Sequence, residues 1–341
     1  MLGAGSWGTA VAAMAVRSSP TVLWARRPEL ALQIAHEHRN AEYLPDLRLP
    51  SRLEATPSMA EAVREATLVV MAVPSHGFRT ILAQAAPLIA EHSYVLSLAK
   101  GLEKETLKRM SEVMAEVVPG RRVGVLTGPN LAREVVAGQP SASVVAAEDE
   151  SVARSVQELL SSETFRVYTN TDVVGAEMAG ALKNVMALAA GMADGMGLGD
   201  NSKAAVITRG LAELTRLGVA MGGRPLTFSG LAGMGDLVAT CYSRQSRNRH
   251  VGEQLGRGRR LDAIVREMNM VAEGVKTAPV VLELAARYGV EMPIAEQVTE
   301  VLEGRKTAHQ IIPALMQREA KAELQGMPGH PAPSADEGEN R

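Results

Sequence analysis

A change of pattern near residue 175 most constrains the fold of this chain. Between residues 21 and 168, short β-branched runs alternate with helical stretches, a pattern typical of a parallel sheet built from βαβ units. After about Gly175, apolar residues recur at helical spacing without a convincing strand. We therefore predict an α/β Rossmann-type domain with a parallel-rich sheet over residues 1–175 and an all-α domain over residues 176–322. Residues 323–341 should be a disordered tail, rich in Pro, Gly and acidic residues.

The individual elements follow from local periodicity. Strands are predicted at residues 21–25, 67–73, 93–97, 122–126, 141–147 and 165–168. Helices are predicted between them at residues 29–38, 78–89, 106–117 and 150–160, and a capping box at Ser58 and Glu61 predicts one more. In the second domain, helices are predicted at residues 176–192, 203–221, 260–268, 278–288 and 295–302.

Composition excludes several classes of protein. The net charge of −2 is far from the basic field of a nucleic-acid binder. Cys241 is the only cysteine, so an intrachain disulfide is impossible and a reducing cytoplasm is favoured. No uncharged apolar run approaches the ~18 residues that span a bilayer, so we expect no stable membrane insertion. The histidines lack the spacing of a metal helix, so no metal site is predicted.

A glycine-rich loop opens the chain. Gly3, Gly5 and Gly8 have the G-x-G-x-x-G spacing that allows a tight turn, close approach of a pyrophosphate, and close packing of the following helix. Only Met1 and Leu2 precede the loop, whereas a central strand should have about five or six residues. We therefore expect a truncated first strand that leaves both neighbouring strands with unpaired edges. We also expect either that the natural protein starts before Met1 or that this chain is a shortened form of a longer protein.

Two arginines follow the strand predicted at residues 21–25. An acidic residue at this position usually binds the ribose hydroxyls of NAD, whereas Arg26 and Arg27 favour the 2′-phosphate of NADP. Glu29 nearby keeps NAD possible, and the arginines could instead be a solvated surface pair. The predicted cofactor is NADP or NAD, with NADP favoured.

The candidate acid/base is Lys183, which lies in an apolar helix. Burial there would lower its pKa toward the range in which it can transfer a proton. Reduction of a ketone needs a proton donor near the carbonyl oxygen, and Asp236 could hold the lysine in place. The alternatives are a lysine that extends to water and an aspartate that caps the helix beginning at Leu237.

A candidate phosphate site follows at Ser246, Arg247 and Asn248, which offer a hydroxyl, a guanidinium and an amide. A basic surface loop would look similar. Lys100 follows a predicted strand at the sheet edge where open α/β proteins bind ligands. The order of these features predicts a dehydrogenase acting on a phosphorylated alcohol.

Taken together, the chain closely resembles the bacterial NAD(P)-dependent glycerol-3-phosphate dehydrogenases. The likeness extends from Gly3 to about Ala320 and rests on Gly-Ala-Gly-Ser-Trp-Gly, Lys-Gly-Leu-Glu at Lys100, Thr127-Gly128-Pro129-Asn130, residues 180–184 and 230–236, Ser246-Arg247-Asn248 and Val271-Ala272-Glu273-Gly274. It implies interconversion of dihydroxyacetone phosphate and sn-glycerol 3-phosphate for phospholipid synthesis by a homodimer.

The resemblance also implies roles for particular residues, with Lys183 as the proton acceptor. Cofactor contacts are implied at Ser6, Trp7, Arg26, Arg27, Lys100, Ala132, Arg247, Val271 and Glu273. Substrate contacts are implied at Lys100, Gly128, Asn130, Lys183, Asp236, Ser246, Arg247 and Asn248. Asn130 stands where the family commonly has serine or threonine, but its amide can still donate a hydrogen bond.

Two other functions stay open from the residues. The first is another lysine-dependent dehydrogenase, acting on a hydroxyacid or on 6-phosphogluconate, whose substrate carries a carboxylate. The second is a non-catalytic protein that senses a dinucleotide. The truncated first strand favours the second, whereas Lys183, Asp236 and Arg247 argue against it.

Overall fold

The computed structural model describes residues 1–268, 272–319 and 322–323. The strands lie in the first half of the described chain and are short. They are β1 (Val22–Trp24), β2 (Arg39–Asn40), β3 (Leu44–Arg48), β4 (Glu54–Thr56), β5 (Leu68–Met71), β6 (Tyr94–Ser97), β7 (Val123–Thr127), β8 (Ser141–Ala146) and β9 (Phe165–Asn170).

Helices connect these strands and form the second half. Those of the first half are α1 (Ser6–Ala15), α2 (Pro28–Leu32), α3 (Met59–Val63), α4 (Ser75–Ala85), α5 (Met110–Val117), α6 (Ala132–Val136) and α7 (Glu150–Leu160). Those of the second half are α8 (Val173–Gly195), α9 (Asp200–Ala220), α10 (Pro225–Ser229), α11 (Asp236–Tyr242), α12 (Arg247–Gly256), α13 (Leu261–Arg266), α14 (Glu273–Tyr288), α15 (Pro293–Leu302) and α16 (Ala308–Met316). Two π-helical turns cover Gln33–Glu37 and Leu231–Gly235, and a 3₁₀ turn covers Ala86–Leu88.

The strand before the glycine loop is reduced to Leu2. This residue forms parallel bridges with Trp24 of β1 and Met71 of β5. Its N–H donates to the carbonyl of Val70 and its carbonyl accepts from Ala72, both at 2.8 Å. On the other side, the Met1 carbonyl accepts from the Trp24 N–H at 2.8 Å and the Gly3 N–H donates to the Trp24 carbonyl at 3.1 Å. The expectation of unpaired neighbours is therefore wrong, because residues 1–3 join β1 to β5. Around it the strands run in the order β4, β1, Leu2, β5, β6, β7, β8, β9.

The sheet is parallel except at one pair. β7 and β8 are antiparallel, with Leu126 opposite Val145, whereas β8 and β9 are parallel. A parallel crossover usually needs a substantial helix, and the connection from β7 to β8 contains only the five-residue α6. The βαβ pattern expected over the whole first half thus fails at this connection.

The predicted helix 106–117 begins later, at Met110. Residues 102–109 instead form a closed loop, in which Leu102 bridges Arg109 and the Leu107 N–H donates to the Glu103 carbonyl at 2.8 Å. Leu107 has φ of 61°, a left-handed conformation that cannot continue a helix. The capping box at Ser58 is half formed, because the Ser58 hydroxyl accepts from the Glu61 N–H while the Glu61 carboxylate accepts from Thr56.

Several elements carry weak local patterns and were not predicted. β2, β3 and β4 are short and polar, and α6, α10 and α16 are short helices. The segment read as a possible basic loop at residues 246–248 is the start of α12.

The second half is built around α8, which is buried along nearly its whole length. It packs on α9, α11, α12 and α14. Among the described helices α8 is long and apolar enough to cross a membrane, but 94% of its apolar window is buried inside the protein. Such all-round burial is typical of a core helix.

The division into residues 1–175 and 176–322 stays a prediction. α8 begins at Val173, so that boundary falls within its first turn. The predicted tail lies outside the described residues except for Glu323.

Candidate active site

The glycine loop leads directly from Leu2 into α1. Gly3 has φ of 115°, and a Cβ there would lie 2.6 Å from the Ala72 carbonyl oxygen. A Cβ on Gly8 would lie 2.1 Å from the Gly3 carbonyl oxygen, so both positions exclude a side chain. Gly5 differs, because its missing Cβ faces space with no atom within 4 Å. The loop thus leaves room at the positive end of α1, which fits the pyrophosphate of a dinucleotide.

Three further candidates surround this end of α1. The Ser6 hydroxyl donates to the Tyr43 carbonyl at 3.3 Å. Trp7 packs near Phe165, with ring centroids 6.4 Å apart, and its indole N–H is buried without a hydrogen-bond partner in the described part of the chain. Ala132 opens α6, which packs on α1. An unsatisfied donor beside the open glycine loop also fits a polar cofactor.

The two arginines after β1 differ in their surroundings. Arg27 forms an ion pair with Glu42, which raises the pKa of the guanidinium. Arg26 is exposed and has no ion-pair partner within the described ranges. Because Glu42 already neutralises Arg27, Arg26 is the better placed of the two to receive an added phosphate.

Lys183 lies at the centre of the site, on α8, with 5% of its surface exposed. Its ammonium donates to Asp236 Oδ1 at 2.5 Å and to Thr240 Oγ1 at 2.7 Å. Desolvation lowers the pKa of Lys183 to about 8, although Asp236 opposes this and Lys100 adds to it. The interpretation of Lys183 as a lysine that extends to water is wrong, since the ammonium is buried.

Asp236 joins the two halves of the molecule. It is 1% exposed, and its second oxygen, Oδ2, accepts from Lys100 Nζ at 2.7 Å. Lys100 also donates to the carbonyl of Gly128 at 2.7 Å. One carboxylate therefore lies between two ammonium groups, one following β6 of the sheet and one on α8. The alternative that Asp236 caps a helix beginning at Leu237 is wrong, because α11 begins at Asp236 itself, its N-cap is Gly235 and no side chain caps it.

The segment after β7 borders this cluster. Gly128 has φ of 129°, which favours glycine. Asn130 Oδ1 accepts from Ser143 at 3.3 Å, whereas its Nδ2 is buried without a hydrogen-bond partner among the described residues. The free donor of Asn130 is compatible with the substrate contact expected there, which stays a prediction.

Ser246, Arg247 and Asn248 form the amino end of α12. The Ser246 hydroxyl caps the helix by accepting from the Arg249 N–H at 3.2 Å. Arg247 is exposed, although nearby atoms partly desolvate the guanidinium and lower its pKa, an effect that Glu273 and Tyr43 oppose. A guanidinium at a helix amino end provides the charge and donors for an anion.

Asn248 is tied into a chain of amides. Its Nδ2 donates to Asn184 Oδ1 at 3.0 Å, and its Oδ1 accepts from the Gly274 N–H at 2.9 Å. Asn184 in turn donates to the Lys100 carbonyl at 3.0 Å. With both polar ends engaged, Asn248 is held firmly beside the lysine cluster.

Glu273 reaches back to the first half of the chain. Its Oε2 accepts from the Ser75 hydroxyl at 2.9 Å, close to Gly101, where a Cβ would lie 3.0 Å from the same oxygen. The predicted cofactor contact Val271 lies outside the described residues.

No sequence motif indicated Thr240, and no role was predicted for Asn184, although the motif at residues 180–184 includes that residue. Thr240 accepts from Lys183, and Asn184 joins Lys100 to Asn248. Thr240 lies one helical turn after Asp236, so helical spacing from a predicted residue could have found it, whereas Asn184 directly follows Lys183 and lies on another face of α8. Within the described ranges, no group of three or more His, Cys, Asp and Glu residues could hold a metal ion.

A glycine loop at the carboxyl end of a central position in a parallel-rich sheet, followed by a helical half with a buried lysine, is typical of the dinucleotide-dependent dehydrogenases. Family models agree with this class. NAD-dependent glycerol-3-phosphate dehydrogenase N-terminus matches residues 1–153, and NAD-dependent glycerol-3-phosphate dehydrogenase C-terminus matches residues 172–313. The chain belongs to the NAD-dependent glycerol-3-phosphate dehydrogenase family.

Individual relatives extend over nearly the whole chain. Glycerol-3-phosphate dehydrogenase [NAD(P)+] 2 of Sphingopyxis alaskensis is 57% identical over 93% of this chain and 95% of its own length. Glycerol-3-phosphate dehydrogenase [NAD(P)+] of Mycobacterium avium is 50% identical over 96% of each chain. The crystal structure of glycerol-3-phosphate dehydrogenase from Coxiella burnetii has a TM-score of 0.89 at 36% identity and covers 93% of this chain and 98% of that one.

Proposed function

We propose that this protein interconverts dihydroxyacetone phosphate and sn-glycerol 3-phosphate with NADP or NAD, and that NADP is preferred. Family membership supports the reaction class. The observation that carries the assignment of the site is the Asp236 carboxylate, which accepts from Lys183 at 2.5 Å and from Lys100 at 2.7 Å.

Lys183 is proposed as the acid/base of the reaction. When bound, the nicotinamide supplies or accepts the hydride. The Lys183 ammonium would donate a proton to the oxygen of the ketone, and its neutral amine would accept that proton from the alcohol. Asp236 and Thr240 hold Nζ in one position, which limits the reorganisation that proton transfer requires. Lys100 adds a second positive charge beside the developing alkoxide.

The substrate phosphate is proposed to bind at the amino end of α12. Arg247 would pair with the phosphoryl oxygens, the Ser246 hydroxyl would donate its hydrogen, and Asn248 would donate the amide hydrogen that its bond to Asn184 does not use. The free amide of Asn130 and the segment at Gly128 would border the substrate on the side of the sheet.

The cofactor is proposed to lie along α1 and the end of β1. Gly3, Gly5 and Gly8 would admit the pyrophosphate, with Ser6, Trp7 and Ala132 beside it. Arg26 and Arg27 would bind the 2′-phosphate of NADP. Lys100, Arg247, Val271 and Glu273 would complete the contacts at the substrate end.

The cellular setting follows from the same proposal. Glycerol 3-phosphate made by the enzyme would feed glycerophospholipid synthesis in the cytoplasm. We propose a homodimer without membrane insertion, which light scattering and partition between soluble and membrane fractions would test. A monomer in solution would contradict the dimer.

A spectrophotometric assay tests the function. Dihydroxyacetone phosphate, unphosphorylated dihydroxyacetone, a 2-keto acid and 3-keto-6-phosphogluconate-type substrates would be compared, each with NADPH and NADH. Turnover should be fastest with dihydroxyacetone phosphate and NADPH. Faster turnover of a carboxylate substrate would favour a hydroxyacid or 6-phosphogluconate-type dehydrogenase, and no turnover at micromolar enzyme would favour a sensing protein.

A further inference from the structure

The segment from Lys100 to Ser111, called here the 100–111 segment, belongs to the sheet half but is held by the helical half. At its start, the Lys100 carbonyl accepts from Asn184 of α8 at 3.0 Å. In its middle, Leu102 and Leu107 are buried in the same hydrophobic cluster as α8, α9 and α14. At its end, Arg109 and Ser111 contact Glu177. The segment therefore meets the helical half at three places.

Glu177 makes the polar contacts at the far end. It is 8% exposed, and its Oε2 accepts from Arg109 Nη1 at 2.9 Å and from the Ser111 hydroxyl at 2.5 Å. Its Oε1 accepts from the Ser111 backbone N–H at 2.8 Å. This N–H lies in the first turn of α5, where a carboxylate is favoured by the helix dipole. Desolvation raises the pKa of Glu177, but Arg109 and Ser111 oppose that effect.

Glu177 shares one face of α8 with residues at the chemical centre. Gly180 and Asn184 follow it at the i+3 and i+7 positions, which lie on the same side of a helix. A Cβ on Gly180 would lie 3.6 Å from Cγ of Lys100. The same helix face thus contacts the segment at Lys100 and at Ser111.

The segment itself is closed and conformationally restrained. The Leu102–Arg109 bridge joins its two arms, and Leu107 is kept at φ 61° by burial and by its hydrogen bond to Glu103. A leucine stays in this unfavoured conformation only where its surroundings hold it. Loss of the contacts that Glu177 makes with Arg109 and Ser111 should therefore change the conformation of the segment as far as Lys100.

We propose that Glu177 is a positioning residue that holds the 100–111 segment against α8, so that Lys100 and Lys183 meet on Asp236. This inference rests on the proposed function of the two lysines. Glu177 lies at the segment's far end and acts through Arg109 and Ser111.

The test compares Glu177→Ala and Glu177→Gln with Glu213→Ala. Glu213 is the matched control, because it is 2% exposed on α9 and accepts from the N–H groups of Ile294 and Ala295, away from the 100–111 segment. Each alanine variant removes a buried carboxylate that accepts at least two hydrogen bonds. Glu177→Gln keeps an acceptor for the Ser111 N–H and serves if the alanine variant does not fold.

We expect Glu177→Ala to lower kcat for dihydroxyacetone phosphate at least tenfold while the Kd for NADPH changes less than threefold. Glu177→Gln should lie between it and the wild type. Glu213→Ala should keep kcat within twofold of the wild-type value, even if its Tm decreases as much as that of Glu177→Ala. Unchanged kcat in both Glu177 variants, or an equal loss of kcat in Glu213→Ala at equal Tm, would overturn the proposal.

A pH profile separates positioning from general destabilisation. The charged and titratable groups that influence Lys183 are Asp236, Lys100 and Cys241, and the charge of Lys100 lowers the pKa of Lys183. Displacement of Lys100 should move the midpoint for glycerol 3-phosphate oxidation upward in Glu177→Ala and leave it unmoved in Glu213→Ala. An unmoved midpoint in Glu177→Ala would count against the proposal. A wild type without turnover would instead refute the proposed function, and the inference with it.

Discussion

At the scale of single residues, the arrangement around Asp236 explains how a lysine can be buried and still be held in place. Two ammonium groups lie on one carboxylate, so the cluster keeps an excess positive charge at the place where we propose that a substrate oxygen becomes negative. Removal of one partner from a buried ion pair often destabilises a protein by ~3–5 kcal/mol. Here Asp236 would keep Lys100 after the loss of Lys183, which should moderate that cost.

Lys183→Ala should therefore fold and bind dinucleotide but lose turnover. A positioned acid/base contributes typically ~10² to 10⁴ in rate. Steady-state assays with a separate measurement of NADPH affinity would check this. Undiminished turnover would remove the lysine from the mechanism.

The pH dependence of the two directions should be opposite. The pKa of Lys183 is lowered to about 8, so the ammonium predominates below that pH and the neutral amine above it. Ketone reduction needs the ammonium and should decline as pH rises through about 8, whereas alcohol oxidation should increase over the same range. Measurement of kcat in both directions from pH 6 to 10 tests the sign, and parallel profiles would contradict it.

The two arginines after β1 should contribute unequally to cofactor preference. Arg26→Ala should weaken NADPH roughly tenfold or more and NADH little, because a charged hydrogen bond contributes ~1.5 to 3 kcal/mol. Arg27→Ala should have a smaller effect on NADPH, since Arg27 is paired with Glu42. Titration of both cofactors against each variant would decide. Equal losses of NADPH and NADH affinity in Arg26→Ala would mean that this residue does not read the phosphate.

At the scale of elements, glycines bring α12 against α8. A Cβ on Gly252 would lie 2.1 Å from the Leu188 carbonyl oxygen, and one on Gly191 would lie 2.1 Å from the Arg249 carbonyl oxygen. These contacts involve backbone atoms, which cannot move aside as a flexible side chain can. Because the two helices pack closely, Asn248 of α12 lies within hydrogen-bonding distance of Asn184 of α8, and this contact orients the amino end of α12.

Gly252→Ala should therefore force the helices apart. Overpacking of this kind costs ~1 to 3 kcal/mol, occasionally more, and should appear as a lower Tm together with weaker use of dihydroxyacetone phosphate. Gly77→Ala is the control, because that helical glycine has no atom within 4 Å of the added Cβ. It should be neutral or slightly stabilising. Equal Tm values for the two variants would show that the α8–α12 contact tolerates a methyl group.

At the scale of the whole molecule, the site depends on contacts between distant parts of the chain. Glu273 of α14 accepts from Ser75 of α4, and Asp236 of α11 accepts from Lys100 after β6. The titratable neighbours of Arg247 are Glu273 and Tyr43, which belong to different halves of the molecule. These contacts bring the residues of the proposed site together at the boundary between the two halves.

Arg247→Leu should reduce the preference for a phosphorylated ketone. The kcat/KM ratio of dihydroxyacetone phosphate to dihydroxyacetone at saturating NADPH should be large in the wild type and approach unity in the variant. Comparison at saturating cofactor removes any shared loss of NADPH binding. A ratio that survives unchanged would show that residues 246–248 do not bind the phosphate.

Local signals determined much of this protein. β-Branched runs and helical periodicity predicted six strands and most of the long helices, because side-chain burial repeats every two or 3.6 residues. The glycine spacing predicted the turn into α1, and the apolar helix around Lys183 indicated that this lysine is buried. The roles of the site residues stay predictions. The sequence suggested these residues because their side chains are unusual for the local pattern, as a lysine is in an apolar helix.

Tertiary structure decided what depends on distant partners. The antiparallel β7–β8 pair, the pairing of Leu2 with two strands and the left-handed Leu107 are set by contacts outside their own segments. No local pattern places Asp236 between Lys100 and Lys183, 136 and 53 residues away, or pairs Arg27 with Glu42. Periodicity in the sequence indicates which side of a helix or strand is buried. The contacts named here depend instead on how separate elements pack, because that packing decides which charged groups lie within hydrogen-bonding distance of one another.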